Sequence, residues 1–390
     1  MASSRALYDV IVIGAGIEGS SCAYNLAKEG KKVLLIEQFP LPHIRGSSHG
    51  QSRITRYAYS EAFYVRMMVD CFPMWAQLEK ESGKDFFINC GVLDIRDRTA
   101  SAQKVVSSLS AYDIPHEHLL ARDIRRRFPM FNVSDKDQAI YDPNGGLIRA
   151  DTALAAFQKV FTQFGGTLHD KELVRNVKPG SPAKVVTSCS VYAASSVVIA
   201  AGPWTGKFAS ELGLSLRLQP IKVIPMYWRI KPGQEEAHQS GKFPCFIDTR
   251  GETKGSFHVY GLPCEEYPGL VKVANHVGAP CNPNHRDLLD EDDSWVIDQV
   301  KQNVVDTFPG LEPEPAIIES CIYTMTPDNN AYIDRHPKYN NIIFAAGFSG
   351  HGFKLAPAVG KAVAELVTGR EPTYNMKPFK IGRFDTLAKL

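Results

Sequence analysis

The chain has 390 residues, too many for one simple core and suited to two domains. Hydrophobic residues make up 44% and charged residues 22%, as in an ordinary globular protein, and a net charge of +2 gives nucleic-acid binding no support. No window reaches the roughly eighteen consecutive apolar residues that a membrane span needs.

Met1-Ala2-Ser3-Ser4-Arg5 lacks the apolar core of a secretory leader, so none is expected. Asp9-Val10-Ile11-Val12-Ile13 then predicts a buried parallel strand. It runs into Gly14-Ala15-Gly16-Ile17-Glu18-Gly19, which fits G-x-G-x-x-G. A helix over Ser20 to Glu29 follows, closed by Gly30, and the next apolar run, Val33-Leu34-Leu35-Ile36, ends in Glu37. This order predicts a βαβ dinucleotide unit. Gly14 permits the tight turn, Gly16 lets the backbone approach a pyrophosphate, and Gly19 lets helix pack on strand. The diphosphate is expected at the helix N-terminus, where free N–H groups and the positive dipole end favour an anion. Glu37, about twenty residues on, is expected to accept hydrogen bonds from a ribose diol.

Two later segments repeat strand and glycine turn. Ser195 to Ala201 is apolar and ends at Gly202; Asn341 to Ala346 ends at Gly347. After Gly347 come Gly350 and Gly352, then a helix from about Lys354 to Thr368 stopped by Gly369. The intervening segments are rich in strand-forming runs such as Val223 to Trp228 and Phe257 to Tyr260, with a turn signal at Asp142-Pro143-Asn144-Gly145-Gly146. Asp290 to Phe308 predicts one amphipathic helix, acidic at its start. The predicted class is α/β (α+β): a Rossmann-type nucleotide-binding domain over 1–84, 149–215 and 322–390. A mostly antiparallel substrate domain over 85–148 and 216–321 is interleaved with it.

The eight cysteines include no C-x-x-C pair, which predicts reduced thiols in an intracellular compartment. There the Asn132-Val133-Ser134 sequon is silent. His116-Glu117-His118 reads as a solvated loop and no metal is expected. Ala388-Lys389-Leu390 is a close variant of the Ser-Lys-Leu peroxisomal address, read by an import receptor.

The fingerprint alone leaves NAD and FAD open. An N-terminal motif, a second glycine-rich strand–turn–helix near the C-terminus and an interleaved substrate domain favour FAD. Gly46-Ser47-Ser48-His49-Gly50-Gln51-Ser52-Arg53-Ile54-Thr55-Arg56, Cys321-Ile322-Tyr323-Thr324-Met325-Thr326-Pro327-Asp328 and Gly347-Phe348-Ser349-Gly350-His351-Gly352-Phe353-Lys354 go further. Long and in order, they closely resemble the monomeric sarcosine oxidase family, FAD-dependent amino-acid oxidases related to D-amino-acid oxidase. The resemblance runs from about residue 7 to the C-terminus.

The resemblance implies roles that the residues alone leave open. Cys321, otherwise one buried thiol among eight, would hold FAD covalently through the flavin 8α carbon. Arg56 and Lys354, otherwise solvated charges, would bind the substrate carboxylate by a fork and a point charge. Arg53 would stand by the flavin ring as a cation, with His49 in a supporting role. Lys272 and His276, which alone suggest an exposed strand, would lie over the flavin: Lys272 to favour oxygen reduction, His276 to contact substrate. Tyr323 and Tyr260 would line the pocket.

The implied activity is oxidation of a secondary amino acid, sarcosine and/or L-pipecolate, to an imine, with oxygen reduced to hydrogen peroxide. A peroxide-forming enzyme suits the peroxisomal C-terminus, and the family precedent is monomeric. The alternatives are a flavin dehydrogenase that passes electrons to a carrier protein and a catalytically silent flavin-binding module. A NAD-dependent dehydrogenase is a more distant one.

Overall fold

The computed structural model describes residues 7–96, 100–239, 241–250, 258–263, 265–286 and 293–384. Met1 to Arg5, Phe257, 290–292 and the Ala388-Lys389-Leu390 ending lie outside them.

The first apolar run forms strand Leu7–Ile13, flanked in parallel by Val33–Ile36 and Val191–Ile199. Thr167–His169 extends this parallel sheet on one side and Ile342–Ala346 on the other. Both faces are covered, which is why these strands read as unbroken apolar runs and not as alternation. On one face Val10, Val12 and Leu35 pack with helices Ile17–Lys28, Ala150–Gln163 and Gly352–Val367. On the other, Ile11, Ile13, Leu34 and Ile36 meet Phe208 and Leu212. Helices Ile17–Lys28 and Gly352–Val367 are joined by Ser21, whose Oγ donates to Ala356 O at 2.7 Å. Their N-termini therefore open at the same end of the sheet, where the strands end in glycine turns.

A second sheet runs in the order Leu311–Ile318, Met226–Ile230, Leu270–Asn275, Val259–Pro263, Cys245–Asp248, Val92–Arg96, Gln138–Asp142, Glu117–Leu120. All its pairings are antiparallel except Cys245–Asp248 with Val92–Arg96. Helix Ser294–Thr307 buries Val296, Val300 and Val304, one residue per turn, among Trp228, Phe246 and Phe308. Two small sheets lie apart from these. Ser52–Thr55, Gly146–Arg149 and Phe87–Asn89 form one, Gln219–Val223 and Cys321–Met325 the other.

The nucleotide-binding elements fall within a few residues of their predicted places. The predicted helix from Asp290 is Ser294–Thr307 among the described residues. One expectation needs correction and two gain detail. Val223 to Trp228 is two strands in two sheets, because Pro225 has no N–H for a ladder. His116-Glu117-His118 leads into the edge strand Glu117–Leu120 instead of staying in a loop, and His118 Nε2 meets Gln138 Oε1 at 2.7 Å. Segment 85–148 of the mostly antiparallel domain also holds helices Ala100–Ser110 and Ala121–Arg127. No cluster of metal-ligating side chains occurs among the described residues, and none of their helices is long and apolar enough to cross a membrane.

Candidate functional site

The site starts at the turn after Leu7–Ile13. Gly14 has φ +97°, and a Cβ there would stand 2.5 Å from Ala200 O. A Cβ on Gly19 would stand 1.8 Å from Gly14 O. These two glycines are required by the protein's own packing. Gly16 differs: its added Cβ would meet only the Ser48 side chain, with Oγ at 3.0 Å. Its backbone faces a cavity of about 750 Å³.

Glu37 is buried at the end of Val33–Ile36 and holds the turn in place. Its Oε2 accepts the Ala15 N–H at 2.9 Å and its Oε1 the Phe39 N–H at 3.0 Å. The cavity continues past His49, Arg53, Gly202, Gly347, Gly350 and Gly352 to Tyr323 and Lys354. A glycine cradle, two helix N-termini and an acid at the strand end fit a dinucleotide, and the volume of the cavity has room for FAD.

Beyond it lies a smaller cavity of about 80 Å³, shared among Arg53, Arg56, Tyr260, Lys272, His276, Cys321, Tyr323, Gly350 and Lys354, with His258 and His351. The structure thus gathers the substrate-side residues named from sequence, from five separate stretches of chain. Arg56 is buried, 3.5 Å from Asp94, and donates to Ala58 O. Its Nε has no acceptor among the described residues. The Arg56 guanidinium lies 4.7 Å, and Lys354 Nζ 5.9 Å, from the centre of the same Tyr59 ring. Trp75 Nε1 donates to Lys354 O at 3.2 Å and fixes its backbone.

Arg53 donates to Ser52 O and Ser47 O and sits 5.6 Å over the Phe353 ring. A Cβ on Gly350 would come within 2.2 Å of His276 Cε1, so the glycine lets His276 reach the pocket. Tyr323 and Tyr260 place their hydroxyls 3.5 Å apart. Cys321 is buried at the start of Cys321–Met325. It faces the small cavity, while Ser320 and Tyr323 beside it line the large one.

Burial sets the charges. It pushes Lys354 down to about 7, helped by Arg56 and Arg53. Burial lowers His276 to about 4, with Lys354 adding to it, and His49 to about 4, with Arg286 and Arg53 adding to it. His258 and His351 are pushed down by burial too, so all four imidazoles are neutral near pH 7. Burial raises the Tyr323 and Tyr260 hydroxyls, which stay protonated.

Several residues were not foreseen. Glu266 lies 3.4 Å from Lys272 Nζ, and Ser52 Oγ lies 3.3 Å from it. Arg286 is buried with Nη1 3.4 Å from both His49 ring nitrogens. Glu18, in the fingerprint itself, is buried beside the large cavity; its oxygens have no hydrogen-bond partner among the described residues, and burial raises its pKa. Only Glu18 carried a signal, since a carboxylate in a helix first turn facing a diphosphate site is electrostatically out of place.

Residues 9–366 match the family described as FAD dependent oxidoreductase. The chain is 45% identical over 392 residues to the peroxisomal sarcosine oxidase of Mus musculus, covering 100% of this chain and 99% of that one. The Homo sapiens protein of the same name gives the same identity and coverage. Among solved structures, NikD, an unusual amino acid oxidase essential for nikkomycin biosynthesis, shares the fold with a TM-score of 0.81 at 23% identity, over 96% of this chain and 97% of that one. Cradle, cavity and kinship agree: the chain belongs to the FAD-dependent oxidoreductase family.

Proposed function

We propose that this chain is a peroxisomal FAD-dependent oxidase of secondary amino acids that prefers sarcosine. The observation that carries the reading is the convergence of Arg56 and Lys354 on one small cavity walled by neutral histidines and tyrosines. A carboxylate entering it neutralises two cations that otherwise repel each other. The names of the full-length relatives support sarcosine as the substrate.

Bound FAD supplies the electron acceptor for oxidation of the C–N bond and returns the electrons to oxygen. Gly14, Gly16, Gly19 and Glu37 hold its nucleotide end, Gly202, Gly347, Gly350 and Gly352 shape the remaining cradle, and Cys321 anchors it through a thioether. Arg56 and Lys354 clamp the carboxylate, and Tyr323, Tyr260 and His276 wall the substrate. The clamp also acts on the amine: two nearby cations disfavour an ammonium, so the bound nitrogen keeps the lone pair that an imine requires. Arg53, supported by His49, keeps positive charge where electrons arrive, and Lys272 does so where oxygen takes them up.

The nucleotide-binding domain comprises 1–84, 149–215 and 322–390, the substrate domain 85–148 and 216–321, and the protein works as a monomer. Ala388-Lys389-Leu390 directs import. The test is a peroxide assay of the purified yellow protein on sarcosine, L- and D-pipecolate, L-proline and glycine. Turnover highest with sarcosine supports the reading; turnover of L-pipecolate above sarcosine overturns the preference, and turnover of glycine alone overturns the substrate class.

A further inference from the structure

Two thiols far apart in sequence meet in the apolar cluster behind the wall of the small cavity. Cys90 Sγ lies 3.6 Å from Cys245 Sγ. Cys245 opens the strand Cys245–Asp248, which pairs in parallel with Val92–Arg96, and the Cys245 N–H donates to Gly91 O at 3.0 Å. The backbone therefore holds both residues side by side. Cys90 is half-buried and Cys245 fully buried. Reaching the ~2.05 Å of a disulfide needs the two sulfurs to close by about 1.5 Å. The pair also suits oxidation chemically. Cys90 is the thiol that an oxidant can reach and Cys245 lies buried behind it, so Cys90 is the nucleophile and Cys245 the resolving thiol.

We propose that Cys90 and Cys245 form a reversible disulfide in response to hydrogen peroxide. The inference rests on the proposed oxidase activity only in that the enzyme would make its own oxidant. The Cys90 thiolate attacks one peroxide oxygen; an S–O bond forms, the O–O bond breaks, and hydroxide leaves to take up a proton. Cys245 sulfur then attacks the resulting sulfenic sulfur; the S–S bond forms, the S–O bond breaks, and water leaves with the Cys245 proton. Two thiols are oxidised, one peroxide is reduced, and two waters are made.

The bridge would act on the substrate pocket. Cys90 and Cys245 pack in one apolar cluster with Ile54, Leu262 and Tyr260, all of which line the small cavity, as does Ile247 on the Cys245 strand. Closing the pair pulls on that wall.

The test uses reduced holoenzyme treated with added hydrogen peroxide, alkylated, and mapped by mass spectrometry without reductant. A Cys90–Cys245 linked peptide is expected, absent after dithiothreitol and absent in Cys90→Ser. Exposed Cys189 reports that the peroxide has acted. In turnover, the oxidised native enzyme should shift its KM for sarcosine at least threefold and Cys90→Ser should not. If Cys189 is oxidised while Cys90 and Cys245 stay alkylable, or Cys90 becomes a sulfinic acid without a link, the proposal is overturned. Because the peroxide is added, a linked peptide in an enzyme that releases none would refute the proposed function and leave this inference standing.

Discussion

Lys272 Nζ stands 3.4 Å from Glu266 Oε1, both side chains being buried, with the Tyr227 ring 5.3 Å away on the cation. Burial lowers Lys272, and Glu266 opposes that shift. Glu266 therefore favours the ammonium form against the pull of burial. Lys272→Met should slow the oxygen half-reaction about a hundredfold and the reductive half-reaction less than threefold, as read by stopped flow. It also strands a buried carboxylate, so unfolding in urea should show a loss of about 3 kcal/mol. Lys272→Met combined with Glu266→Gln should recover stability without recovering oxygen reactivity. Equal slowing of both half-reactions would move Lys272 to another role.

Lys354 ties substrate binding to pH. In the empty site it is lowered to about 7, and a bound carboxylate raises it again. The complex thus holds more protons than the free enzyme above pH 7, so affinity for a simple carboxylate such as acetate should be flat below that pH and fall as pH rises through it. Calorimetry in two buffers at pH 8 should show proton uptake on binding. Lys354→Met should remove the uptake and raise the KM for sarcosine about 10- to 100-fold, the value of one charged hydrogen bond.

The glycines of the fingerprint separate fold from cofactor. Gly19→Ala drives a Cβ to 1.8 Å from Gly14 O and should yield little folded protein. Gly16→Ala meets only Ser48 Oγ, at 3.0 Å, so it should fold with near-native circular dichroism yet bind FAD at least tenfold more weakly. Full FAD retention in Gly16→Ala would place the pyrophosphate elsewhere.

Cys321→Ser should give protein whose yellow colour is released by acid precipitation, whereas the native chain keeps it in the pellet. Colour retained in the variant would exclude the thioether.

How much was legible in the sequence follows from how each part is made. The nucleotide end is local: Gly14, Gly16, Gly19 and Glu37 lie in one βαβ unit, and period and spacing expose it. The substrate end joins stretches near residues 53, 260, 272, 321 and 350, and only the family resemblance connected them. Glu266 carries no signal in the sequence, because nothing in its neighbours shows that Lys272 folds back onto it. The two helices of segment 85–148 were missed because a strand-rich surrounding outweighed their short amphipathic runs.

The central claim is tested most directly by incubating the purified yellow protein with sarcosine in air and measuring peroxide against sarcosine consumed. One peroxide per sarcosine is the predicted result. Anaerobic bleaching of the flavin by sarcosine with no peroxide in air would contradict it and make the chain a dehydrogenase that needs a separate electron carrier.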